Sequence, residues 1–158
     1  MNKKLLSINS RRLLSLFGFF LLLISGVANA ATITSAASGN WSAGTTWLGG
    51  VAPTAADNVI ITTAHTVAVT VSTSITNLNL STTTSKLVIN SNQTLTVTGT
   101  FTNLGTTTNG VNGPGTILFT GTATFGILTQ TGTRPNVTVG DGIGSNTVTV
   151  SATTLIVD

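Results

Sequence analysis

Beyond its first thirty residues the chain holds one histidine and three carboxylates: His65, Asp57, Asp141 and Asp158. A zinc site needs three or four Cys, His or carboxylate ligands converging on one point. The chain has no Cys, and the carboxylates lie far from His65 or singly. His65 therefore reads as a structural or turn residue. Carboxylates that cleave a glycosidic bond stand roughly 5–10 Å apart. Asp57 leads into a strand-like run and Asp141 sits in the glycine turn VGDGIGSN, so they read as unpaired. A Ser-His-Asp triad needs three groups in contact, and no G-x-S-x-G elbow is written in the chain. GDGIGS, residues 140–145, matches neither the phosphate-loop spacing nor the G-G-x-G-x-D calcium repeat, and reads as a plain turn. No catalytic residue, cofactor or metal is expected.

Two other groups carry surface chemistry. Trp41 and Trp47 have two readings, stacking on sugar rings and capping the end of a core. In NQTLTVTGTFTN, Thr94, Thr96, Thr98, Thr100 and Thr102 alternate with Leu95, Val97, Gly99 and Phe101. A flat row of that kind, repeated on stacked coils, resembles the Thr-x-Thr arrays of ice-binding proteins. The plainer reading is that Thr is a soluble strand former, since its branched Cβ suits the pleated backbone. Four N-x-S/T triplets, at Asn40, Asn79, Asn92 and Asn136, are what chance yields in a chain this rich in Thr and Asn.

The elements that must position these groups are strands. Apolar residues recur with period two at Val67, Val69 and Val71, at Leu78 and Leu80, and at Leu87 and Ile89. The pattern continues at Leu95 and Val97, Ile117 and Phe119, Val137 and Val139, Val148 and Val150, and Leu155 and Val157. Period two places such side chains on one face of a strand. Turn clusters rich in Ser, Thr, Asn and Gly separate them, at residues 81–85, 90–92, 103–115, 132–136 and 140–146. Gly99 interrupts an inner row and marks a bend. No helical periodicity follows residue 31.

Two architectures accommodate this pattern: a right-handed parallel β-solenoid with an N-terminal cap, and an antiparallel β-sandwich. The solenoid is favoured. The spacing from Leu95 to Ile117 to Val137 suits coils of roughly 20 residues. Low charge also fits, because stacking puts like residues over one another, and Thr, Ser and Asn stack without repulsion.

The N-terminus reads as a secretory leader over residues 1–30. Lys3, Lys4, Arg11 and Arg12 precede an apolar run from Leu13 to Val27, and Ala28-Asn29-Ala30 supplies an A-x-A cleavage site. The run is short for a membrane span. Four of the six basic residues lie in this leader, so the net charge of +3 becomes 3 − 4 = −1 without it. No basic patch is left to bind nucleic acid. Residues 31–58 read as a capping segment and 59–158 as coils, the start of a longer protein or a unit that packs end to end with copies of itself.

The cap carries a resemblance. The stretch SGNWSAGTTWLGGVAPTAADNVIITTAHTVAV, residues 38–69, has the pattern W-S-x-x-x-x-W-x-G-G-x-x-P-x-x-x-D-x-V-x-I followed by H-T-V. It resembles the opening of secreted, repeat-rich, adhesin-like bacterial surface proteins with β-solenoid regions, and is similar to the opening of the eight-glycine surface domain. Ala64 stands where that pattern usually has Gly. The resemblance implies a non-catalytic structural or adhesive module, secreted or at the surface of a Gram-negative-like bacterium, with a surface glycan or another protein as partner. From the residues alone, Trp41, Trp47 and Leu48 are expected to cover the coil end, Gly49, Gly50 and Pro53 to turn the chain, and Asp57 or Asn58 to tie that turn.

Overall fold

The computed structural model describes residues 30–105, 109–121, 123–125, 133–140 and 148–150. Residues 1–29 of the leader, Asp141, Asp158, most of GDGIGS and the last apolar pair, Leu155 and Val157, lie outside the described residues.

The described chain is all-β except for one turn of 3-10 helix at Gly44–Thr46. Its strands are β1 (Thr32–Thr34), β2 (Gly39–Asn40), β3 (Asn58–Ile61), β4 (Thr66–Val69), β5 (Thr73–Ile75), β6 (Asn77–Leu80) and β7 (Lys86–Ile89). They continue as β8 (Thr94–Val97), β9 (Phe101–Asn103), β10 (Gly110–Asn112), β11 (Thr116–Phe119), β12 (Ala123–Phe125), β13 (Asn136–Val139) and β14 (Val148–Val150). Three four-stranded sheets run β1-β3-β6-β9, β2-β4-β7-β10 and β5-β8-β11-β13, and β12 pairs with β14. Every strand pair is parallel. Each strand lies on the one a full coil earlier, which makes the fold a β-solenoid and rules out the antiparallel sandwich.

Register confirms the spacing read from the sequence. Leu95 lies over Ile117, and Ile117 over Val137, giving coils of 22 and 20 residues (117 − 95 and 137 − 117). Inner columns follow: Val59, Leu78 and Phe101 on the first sheet, Val67, Leu87 and Val111 on the second, Ile75, Val97 and Phe119 on the third. All of these side chains are buried in one core. Each contributes ~1.5–3 kcal/mol when fully covered. Phe101 and Phe119, from different sheets, meet at 5.2 Å between ring centroids.

Several expectations need correction. Val71 follows β4 and is exposed, because the chain turns the corner before it could continue the inner row. Residues 103–115, read as a turn, contain β10: local Gly and Asn preferences are overridden by pairing with β7 beneath. Val137 and Val139 occupy inner positions of β13 yet are 45% and 43% exposed. Within segment 31–58, β1 pairs with β3 and β2 with β4.

The bend at Gly99 is where β8 ends and β9 begins on another sheet. A Cβ there would lie 2.3 Å from Asn77 Oδ1 and 2.8 Å from the Thr76 carbonyl oxygen, so the corner admits only glycine against the coil below.

Candidate functional site

The described titratable candidates of the sequence, His65 and Asp57, sit in two polar clusters around the first coil. One is the corner after β3. Ser35 is buried, and its Oγ lies 2.8 Å from His65 Nδ1 and 3.2 Å from Thr62 Oγ1. The Thr62 backbone N–H donates to Ser35 Oγ at 2.9 Å, and Thr62 Oγ1 stands 3.1 Å from His65 Nδ1. Ala64, within this corner, adopts φ 58, the left-handed conformation that Gly takes more cheaply. A serine beside an imidazole is the start of nucleophilic chemistry, but a working serine needs an open Oγ and a base oriented by a third group. Here Ser35 Oγ is enclosed. Among the described residues no carboxylate hydrogen-bonds to His65; Ser35 and Thr62 are its side-chain partners. What this arrangement does is tie β1 to the corner between β3 and β4. The sequence reading placed His65 in a turn but missed Ser35, thirty positions away.

The second place is Asp57. Its Oδ2 accepts the Thr54 backbone N–H at 2.8 Å and the Thr54 hydroxyl at 2.7 Å, and Oδ1 accepts the Ala31 N–H at 2.9 Å. This is the turn tie that the sequence predicts. The Thr54 backbone N–H holds the carboxyl below the ordinary aspartate value, burial opposes it, and the Thr54 hydroxyl and the Ala31 N–H add to the lowering. A folded pKa below the unfolded one means stability present at neutral pH and lost as pH falls through about 4 and on through the lower folded value. The urea midpoint of the native chain is expected to drop across that window by more than that of Asp57→Asn. Parallel curves would remove Asp57 from the acid response.

The two tryptophans pack on each other in the core. Trp41 and Trp47 are 3% and 2% exposed and pack edge to face, with centroids 5.1 Å apart and planes at 74°. Trp47 Nε1 donates to the Trp41 carbonyl at 2.7 Å. Both rings are covered. Leu48, expected to cover the coil end with them, is 60% exposed. Gly49 and Gly50, at φ 87 and 73, make the expected turn.

The threonine row divides between faces. Thr94 and Thr96 lie on β8 of the third sheet and Thr102 on β9 of the first, so the row from Thr94 to Thr102 is not one flat array. Thr98 and Thr100 sit at the Gly99 corner. Their hydroxyls donate to the coil beneath, to the Ile75 carbonyl at 3.2 Å and to Asn77 Oδ1 at 2.8 Å. What the coils do align is a pair of outward columns on the third sheet. Thr94 lies over Thr116 and then Asn136, and Ser74 over Thr96, Leu118 and Thr138. Thr147 lies outside the described residues.

Among the described residues no three His, Cys, Asp or Glu side chains gather to hold a metal ion. No described helix is long and apolar enough to cross a membrane. Comparison with protein-family models, characterised proteins and solved structures yields no match to this chain.

Proposed function

We propose that the chain is a non-catalytic structural or adhesive module, secreted through its leader and displayed outside the cell, with a surface glycan or another protein as partner. The observation that carries this reading is the third sheet. Its outer face presents two parallel columns that are mostly hydroxyl and amide, without a charge, on a backbone fixed by in-register hydrogen bonding. Successive coils repeat such groups every ~4.8 Å. A rigid, uncharged, hydrogen-bonding lattice suits contact with polyhydroxylated surfaces, because little side-chain freedom remains to be lost on binding.

The same columns favour one second reading, ice binding, which requires regular spacing of Thr. Leu118 and Asn136 interrupt it. One substitution separates the outcomes. Thr96→Lys projects a charge from the centre of the outer face, where surface changes alter stability by only ~0.5 kcal/mol. On a glycan array the native chain is expected to bind and Thr96→Lys to lose at least tenfold in affinity, with unfolding unchanged. Thermal hysteresis abolished by the same change assigns the face to ice. Retention of the full chain, leader attached, in the cytoplasm of a secreting host overturns the extracellular reading.

A further inference from the structure

Asp57 is a carboxylate, 6% exposed, whose side-chain oxygens are met only by donors from Thr54 and Ala31. None of the influences on its ionisation comes from a charged side chain. The elements around it bring no cation: β1, β6 and the segment from Leu48 to Ala56 contain no titratable residue. The other titratable side chains among the described residues are distant in the fold. His65 bonds to Ser35 and Thr62 at the far end of β3, Lys86 begins β7 on the second sheet, and Arg134 precedes β13 on the third. A covered carboxylate with neutral partners alone is costly, and an adjacent cation removes much of that cost.

The donor on Oδ1 is not an ordinary amide. It is the nitrogen of Ala31, the residue that follows the A-x-A site at Ala28–Ala30. Ala30 and Ala31 are exposed, while the Ala31 carbonyl is anchored by the Asn58 N–H at 2.8 Å. Hydrolysis of the Ala30–Ala31 bond adds water across C–N. Ala30 leaves with the carboxylate, and Ala31 keeps the nitrogen as an amine that takes up a proton at neutral pH. The nitrogen already lies 2.9 Å from Oδ1, so no rearrangement is needed to place the new charge.

We propose that the α-ammonium of Ala31, created by leader removal, is the counter-ion of Asp57, and that this ion pair locks β1 onto β3 in the processed chain. The proposal rests on the leader reading. Processing then does more than release the protein: a hydrogen bond from a neutral amide to the carboxylate becomes an ammonium–carboxylate ion pair. The sign of the pH effect follows. An ammonium that gains a partner has its pKa raised, so the stabilisation is complete below the unfolded α-amine value of ~7.7–8.0 and is lost as pH rises through the higher folded value.

The full chain is exported from a secreting host, and its intact mass gives the N-terminus. The exported chain is then treated with an amine-acylating reagent at pH 7, folded and in denaturant. Modification of Ala31 is read beside that of Lys86, the one lysine outside the leader. Folding is expected to slow reaction at Ala31 by at least tenfold, the equivalent of one unit of pKa, and Asp57→Asn to abolish that protection. Should Asp57→Asn not fold, chain acetylated at Ala31 serves instead. Native chain is expected to lose thermal stability between pH 8 and 10, in a range estimated from the free α-amine value, and the acetylated chain to show no such loss. A chain that begins at Ala31, but whose amine reacts equally fast folded and unfolded, overturns the ion pair and leaves the leader reading intact. A chain not cut at Ala30–Ala31 overturns both.

Discussion

Trp47→Ala is expected to lower the unfolding free energy by about 3–5 kcal/mol, the range for truncating a buried large aromatic. For a domain whose total stability is ~5–15 kcal/mol, that loss is a large share. Three effects add in one direction. The indole is 2% exposed, so its removal opens a cavity in the core. The edge-to-face contact with Trp41 at 5.1 Å disappears, and such pairs are worth ~0.5–1.5 kcal/mol beyond their burial. The Trp41 carbonyl loses its 2.7 Å donor inside the protein. Trp41 Nε1 is itself buried without a hydrogen-bond partner. Urea unfolding followed by circular dichroism measures the loss. Trp47→Phe, which keeps an aromatic ring and deletes the donor, is expected to cost about 1–3 kcal/mol. A loss under 1 kcal/mol for Trp47→Ala would mean that the tryptophan pair frays separately and does not belong to the cooperative unit.

Gly113→Ala is the second large effect, about 2–5 kcal/mol. Gly113 turns the chain between β10 and β11 at φ 99, where a side chain costs ~1–2 kcal/mol. The new methyl would also lie 2.2 Å from the Ile89 carbonyl oxygen and 2.9 Å from the Ile89 nitrogen, both backbone atoms of the coil beneath. Backbone cannot rotate away as a side chain does, so the coil above must lift, and overpacking of that kind adds ~1–3 kcal/mol. Gly49→Ala separates the two contributions. Gly49 has φ 87 but open space where its Cβ would stand, so only the conformational cost of ~1–2 kcal/mol is expected. If the two variants lose equal stability, close stacking at the Gly113 corner contributes nothing.

The difference between these glycines shows what could be read without a structure. Both are glycine in a turn-rich stretch, and sequence alone treats them alike. One faces solvent at the start of the fold, and the other rests on a carbonyl contributed 24 positions earlier (113 − 89). His65 teaches the same lesson. Its place in a turn before β4 was legible from H-T-V, whereas its bonds to Ser35 and Thr62 were not. Nothing in residues 30–40 distinguishes Ser35 from Ser38, since only alignment of β1 with β3 brings Ser35 to that corner.

What the sequence determined by itself was the sidedness of each strand and the length of the coil. Alternation fixes which side chains face inward because successive Cβ atoms point to opposite faces, and Leu95, Ile117 and Val137 recur at the interval that stacking requires. The Gly99 corner, the Asp57 tie and the all-β class were legible for similar local reasons. Only the tertiary structure decided which sheet each strand joins. It divided the threonines of 94–102 between two faces, made a strand of Gly110–Asn112, exposed Leu48 and Val71, and set the nitrogen of Ala31 against Asp57. Those outcomes depend on the hydrogen-bonding edge that the previous coil presents some twenty residues back, and local periodicity carries no information about that edge.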